Sequence, residues 1–276
     1  MKLIIDPQYK ALHKKHTALK NQISIIIEDR ADLVCHQAVA LKTEYIMKIG
    51  RLEYELFKLE CNIARARRKI DMIQACINLQ VPIDEEHIEK QLDKEYEEYI
   101  EKLKQMASDI DVANYLEDCE KLTTEETVEL KKTYRAIVKL IHPDVNDNLS
   151  EEQKALWNRV TDAYETGNIE MLKVLYELAL DNEAIENTEN MDDKNEIDIL
   201  KTKVEFLQNK IKDLLIDIEK IKKAFPFNIV DFLEDEEQIR NKQEELHKSI
   251  KEAERLLEEL NAYLLMLKPA NGEYKN

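Results

Sequence analysis

Three stretches of this chain carry apolar residues in three-four alternation, a pattern that forces long helices burying one stripe against another helix. The first runs Ile49, Leu52, Leu56, Leu59, Ile63, Ala66, Ile70, Ile73 and Ile77. The second runs Leu200, Val204, Leu207, Ile211, Leu214, Ile218 and Ile221. The third takes Ile239, Leu246, Ile250, Ala253, Leu257, Leu260, Leu264 and Leu267, with Gln243 as its polar exception. Only 3 Gly and 5 Pro punctuate 276 residues, which leaves few turn-makers and points to an all-α fold. Rod-like helices bury little more than a stripe, so the sequence predicts an elongated molecule.

The net charge of -17 argues against nucleic-acid binding by the whole molecule, because phosphate contact needs a positive surface. Cys35, Cys61, Cys76 and Cys119 stand singly, with no CxxC and no histidine pair at metal-ligand spacing, and read as reduced, mostly buried thiols. No metal site or cofactor is expected. Neither a secretory leader nor an apolar run long enough for a membrane span occurs, which predicts a cytoplasmic protein without a membrane partner. With 3 glycines, no common nucleotide-binding loop can be built, and the carboxylates sit on solvated faces, so the chain is not read as an enzyme.

Six segments follow. Residues 1–82 form amino-terminal coiled-coil helices. Leu12, Leu19, Ile23, Ile26, Leu33 and Leu41 are helically spaced, but their phase slips near Glu28-Asp29-Arg30 and again before Ile49. A two-helix hairpin and one long kinked helix both fit. Residues 83–113 read as an acidic helix, starting at Asp84, and a connector irregular from 108; 114–180 as a compact helical module; 181–196 as an acidic flexible linker. Residues 197–268 carry the last two seams, most simply an antiparallel coiled-coil hairpin broken at Ala224-Phe225-Pro226-Phe227, and 269–276 are a tail. The densest basic run, Arg65, Arg67, Arg68 and Lys69, reads as a solvated helix face or as an internal partner of the acidic helix at 84–101, with contact to nucleic acid or an acidic partner as the alternative.

Within the central module, Thr123, Thr124, Glu125 and Glu126 cap a helix whose Leu130, Tyr134, Ile137, Val138 and Ile141 share one face. Lys131, Lys132, Arg135 and Lys139 lie off that face, three of them on one side, where they suit an acidic surface. Pro143 ends the helix, and a loop follows: His142, which donates and accepts hydrogen bonds; Pro143, which fixes the backbone; and Asp144, an acceptor. Ser150 and Gln153 then form a capping box for a second helix, and Gly167 stops it.

This stretch, KKTYRAIVKLIHPDVND, resembles the second helix and loop of a J-domain, the module by which DnaJ-type co-chaperones engage a DnaK-type chaperone ATPase. His142-Pro143-Asp144 stands where that family has its His-Pro-Asp tripeptide, and Lys131, Lys132, Tyr134, Arg135 and Lys139 where it has its basic helix. Asp162-Ala163-Tyr164 resembles the end of the family's third helix, whose alanine-tyrosine pair packs against the second. The resemblance covers about 114–180. Asn114-Tyr115-Leu116-Glu117 is an atypical first helix, and GNIEMLKVLYEL replaces the usual basic fourth. The resemblance implies an antiparallel helical hairpin, which the seams flank with coiled coils, and a loop and basic helix that bind the chaperone and stimulate its ATP hydrolysis. The coiled coils would then hold a client, a second partner or another copy of the chain. The alternative is a coiled-coil scaffold whose J-like module is vestigial.

Overall fold

A computed structural model describes residues 7–146, 149–183 and 193–267. The protein is all-α: among the described residues there is no strand. In chain order the helices are α1 (Pro7–Asp32), α2 (Ala38–Tyr45), α3 (Arg51–Asn78), α4 (Glu85–Glu95), α5 (Glu97–Asp118) and α6 (Thr124–Ile141). There follow α7 (Glu151–Glu165), α8 (Ile169–Glu183), α9 (Asp193–Lys223), α10 (Val230–Glu234) and α11 (Glu236–Leu267).

The second phase slip of the amino-terminal stripe, before Ile49, has a local cause, whereas the first, near Glu28-Asp29-Arg30, lies within the regular α1 about one turn ahead of a π-turn. Helices α1, α2 and α3 form one helical run, joined by wide π-turns at Leu33–Gln37 and Ile46–Gly50. A π-turn inserts an extra residue into the winding and so rotates the downstream stripe by roughly 100°. Of the two arrangements that the spacing left open, the chain adopts the continuous helix. It ends at Asn78, and Gln80 takes a positive φ of 55° before Pro82.

Two compact units divide the chain, each discontinuous in sequence: Met1–Ala40 with Glu120–Asn228, and Leu41–Cys119 with Ile229–Asn276. In the first, α9 lies along α1 in parallel, since Lys203, Phe206 and Leu207 meet the neighbourhood of His16 and Lys20 while Asp217 meets Arg30 at 2.6 Å. In the second, α11 lies along α3 in parallel, with Gln243 donating to the Lys48 carbonyl at 2.8 Å and Tyr263 to Gln74 at 3.4 Å. The expected hairpin of 197–268 is therefore corrected. Its two seams pair with the amino-terminal helices rather than with each other, because periodicity marks a seam without naming its partner.

Other boundaries move too. The stretch 108–118, read as irregular, is the end of α5, so Asn114-Tyr115-Leu116-Glu117 belongs to the second unit and the central module begins near Glu120. Of the expected linker 181–196, residues 181–183 end α8 and 193–196 begin α9, while 184–192 lie outside the described residues, as does the tail 269–276. The basic run finds internal partners in the second unit. Arg65 pairs with Glu89 and Asp93 at 2.6 and 2.7 Å, Arg68 with Glu95 at 2.8 Å, and Lys69 with Glu89, which holds α4 against α3.

The first unit's core gathers Leu130, Tyr134, Ile137, Val138 and Ile141 of α6 with Leu156, Val160, Ala163 and Tyr164 of α7. Leu172, Leu175 and Ala179 of α8, Ile23, Ile26 and Ile27 of α1, and Leu207, Ile211 and Ile218 of α9 complete it. Capping boxes at Thr123/Glu126 and Ser150/Gln153 start α6 and α7. At the end of α7, Gly167 (φ 65°) donates to Tyr164 O and Asn168 to Ala163 O, the Schellman pattern that reverses the chain into α8.

Candidate functional site

The loop that carries His142-Pro143-Asp144 is built from α6 and α7 upward. Helix α6 ends as His142 turns extended (ψ 132°), the conformation that a residue before proline prefers. The His142 carbonyl then accepts from the amides of Val145 and Asn146, both at 3.0 Å, and Val145 is buried. Asn146 reinforces the turn by donating to the carbonyls of Lys139 and His142 at 3.3 and 3.4 Å. Pro143 is exposed at the tip.

Within the tripeptide, the Asp144 amide donates to His142 Nδ1 at 2.9 Å, so Nδ1 is bare and the ring proton sits on Nε2. The ring stands edge-on to Trp157 of α7 at 4.5 Å. Burial is the main cause that pushes the imidazole down to about 4; Lys210 and Arg30 push the same way and Asp144 opposes them. His142 is thus neutral at physiological pH. Beneath it, Tyr134 of α6 stacks on Tyr164 of α7 at 3.9 Å, and Trp157 closes on Tyr134 at 5.7 Å.

The structure divides the other sequence-predicted site residues into two sets. Lys132 and Lys139 are exposed. Lys131 pairs with Asp32 of α1 at 2.7 Å, Arg135 pairs through Nη2 with Glu28 of α1, and Asp144 pairs with Lys210 of α9 at 2.9 Å. A fourth tether joins Lys20 of α1 to the Asn146 side chain at 2.9 Å.

The two acidic partners are set deep. Glu28 is 1% exposed and also accepts from the Tyr164 hydroxyl at 3.5 Å. Asp32 is 5% exposed and accepts from Gln37 at 2.6 Å, with His36 Nδ1 at 3.2 Å. Burial alone pushes its carboxyl up, but hydrogen bonds from His36, Lys131 and Gln37 outweigh that and hold it below the usual carboxylate range. His36 also faces the Tyr164 carbonyl through Nε2 at 3.0 Å. Arg135 Nε is buried without a hydrogen-bond partner, so the guanidinium is only partly satisfied.

Sequence reading missed Glu28, Asp32 and Lys210. A signal existed: carboxylates at 28 and 32 stand one helical turn apart, as do the cations at 131 and 135, but nothing in the spacing says that α1 meets α6. Among the described residues no group of three or more His, Cys, Asp or Glu could hold a metal ion, and no helix is long and apolar enough to cross a membrane. The four cysteines are free thiols, each only half-buried.

Comparison of the chain with protein-family models, with curated proteins and with solved structures finds no match.

Proposed function

We propose that the chain is a cytosolic J-domain-like co-chaperone: α6, the His142-Pro143-Asp144 loop and α7 engage a DnaK-type chaperone and stimulate its ATP hydrolysis, while the flanking coiled-coil helices serve a client or second partner. The observation that carries this reading is the loop itself. Its tripeptide is closed by the bond from the Asp144 amide to His142 Nδ1, presents Pro143 to solvent, and is braced by Trp157, which meets both His142 and Tyr134. Exposed Lys139 in the last turn of α6 and Lys132 further down the same helix suit steering toward an acidic surface. Chemistry then belongs to the partner.

The test is single-turnover ATP hydrolysis by a DnaK-type chaperone with saturating native chain or its His142→Gln form. The native chain should raise the rate and the variant should not. Equal rates sink the reading.

A second reading, a scaffold with a vestigial J-like module, is favoured by the internal pairing of Lys131, Arg135 and Asp144. It predicts that a chain lacking Glu120–Glu183 captures the same partners as the native one, and loss of that capture counts against it.

A further inference from the structure

We infer that α1 and α9 are an internal competitor for the chaperone-binding face, an inference that rests on the co-chaperone reading above. Three of the seven residues assigned to that face already hold a charged partner within the chain. Lys131 and Arg135, one helical turn apart on α6, meet Asp32 and Glu28, one helical turn apart on α1. Asp144, in the tripeptide, is held by Lys210 of α9. The geometry also defines what the face accepts: two carboxylates at i and i+4 on a helix or an equivalent acidic ridge, with one cation that reaches the loop aspartate. An external partner must offer that pattern and displace the internal copy.

The internal copy is imperfect in two ways that make displacement feasible. Arg135 binds Glu28 through Nη2 while its buried Nε has no partner, so a carboxylate that engages the guanidinium fork in bidentate fashion would bind it better. The Lys210–Asp144 pair is about one third exposed on each side, so it is a light latch. Both helices are otherwise anchored in the core, α1 through Ile23, Ile26 and Ile27 and α9 through Leu207, Ile211 and Ile218. Release therefore starts at the Lys210 side chain and the loop, not with either helix as a whole.

A partner that binds only the released face has its apparent dissociation constant divided by the released fraction, so loosening the latch should lower the chain concentration that gives half-maximal stimulation. Lys210→Ala should lower it by roughly twofold to fivefold, the scale of a partly exposed ion pair. Asp32→Asn, which frees Lys131 and keeps a side chain able to hydrogen-bond, should lower it by roughly tenfold, within the range of a typical coupling between sites. Should Asp32→Asn perturb the fold, seen in Trp157 fluorescence, Lys210→Ala still decides the matter, because Lys210 lies near the surface.

Full-length chains are titrated into a DnaK-type chaperone and single-turnover hydrolysis is followed. A lower half-point in the variants, cancelled by adding His142→Gln, supports the competitor. Equal half-points for native and Lys210→Ala chains overturn it, while a native chain that still outperforms His142→Gln leaves the co-chaperone reading standing. Absence of stimulation by every chain overturns both.

Discussion

Replacing Arg135 with methionine strands Glu28, the most deeply buried carboxylate among the described residues of the first unit. The Glu28 side chain is 2% exposed and keeps only the long 3.5 Å contact from the Tyr164 hydroxyl once the guanidinium is gone. Removing one partner of a buried pair costs about 3–5 kcal/mol; because the Arg135 side chain is 36% exposed, water tempers the loss and the lower end, about 3 kcal/mol, applies. With a urea m-value of about 2 kcal/mol/M, the midpoint should fall by roughly 1.5 M. The single tryptophan of the chain, Trp157, packs against Tyr134 in the first unit, so its fluorescence follows that unit's unfolding. Glu28→Met/Arg135→Met removes both charges and should recover to within about 1 kcal/mol of native, since apolar replacement of a whole buried pair is often neutral. A cost below about 1 kcal/mol for the single variant, or a double variant as unstable as the single, would refute the reasoning.

Three further outcomes are expected. Gly167→Ala forces a Cβ onto a left-handed backbone (φ 65°) and to 3.2 Å from Leu122, and should cost about 1–2 kcal/mol in thermal or urea unfolding; a loss under 0.3 kcal/mol, on the order of assay error, would contradict it. His142 sits at about 4 in the folded chain against an ordinary 6.5, so the unfolded chain takes up the proton first: this share of stability is complete above pH 6.5 and is lost as pH falls toward 4, by about 3 kcal/mol. His142→Gln should remove that part of the pH slope, and identical slopes in the two proteins would show the assignment to be mistaken. Cys35, pushed up to about 11 by burial and then by Glu165, should resist iodoacetamide at neutral pH in the folded protein and react on unfolding; rapid native alkylation speaks against it.

The all-α class, the caps at Thr123 and Ser150, the buried face of α6 and the glycine stop at Gly167 were legible because each depends on residues within one or two turns. The partners of the seams were not. A three-four stripe on α9 looks the same whether it faces α11 or α1, and a short turn argues for an antiparallel neighbour although the chain pairs distant helices in parallel. For the same reason the tripeptide could be singled out while Glu28, Asp32 and Lys210 could not. They lie 107, 99 and 66 residues from Arg135, Lys131 and Asp144. The π-turn at Ile46–Gly50 is an intermediate case. Its phase slip was visible, but a slip alone does not distinguish a wider turn from a break.

Parallel pairing of distant helices also sets the order in which the chain can be completed during synthesis. Ile23, Ile26 and Ile27 leave the ribosome long before Leu207 and Ile211, which close over the same core. At about 5–20 residues per second that stripe waits roughly 10 to 40 seconds for its cover. The second unit waits about as long, since Ile49 meets Ile239 and Leu246, 190 and 197 residues further on. A nascent or carboxy-terminally truncated chain therefore exposes the sticky stripe that the finished one hides, and aggregation of fragments that stop before α9 is the cost of closing each unit last.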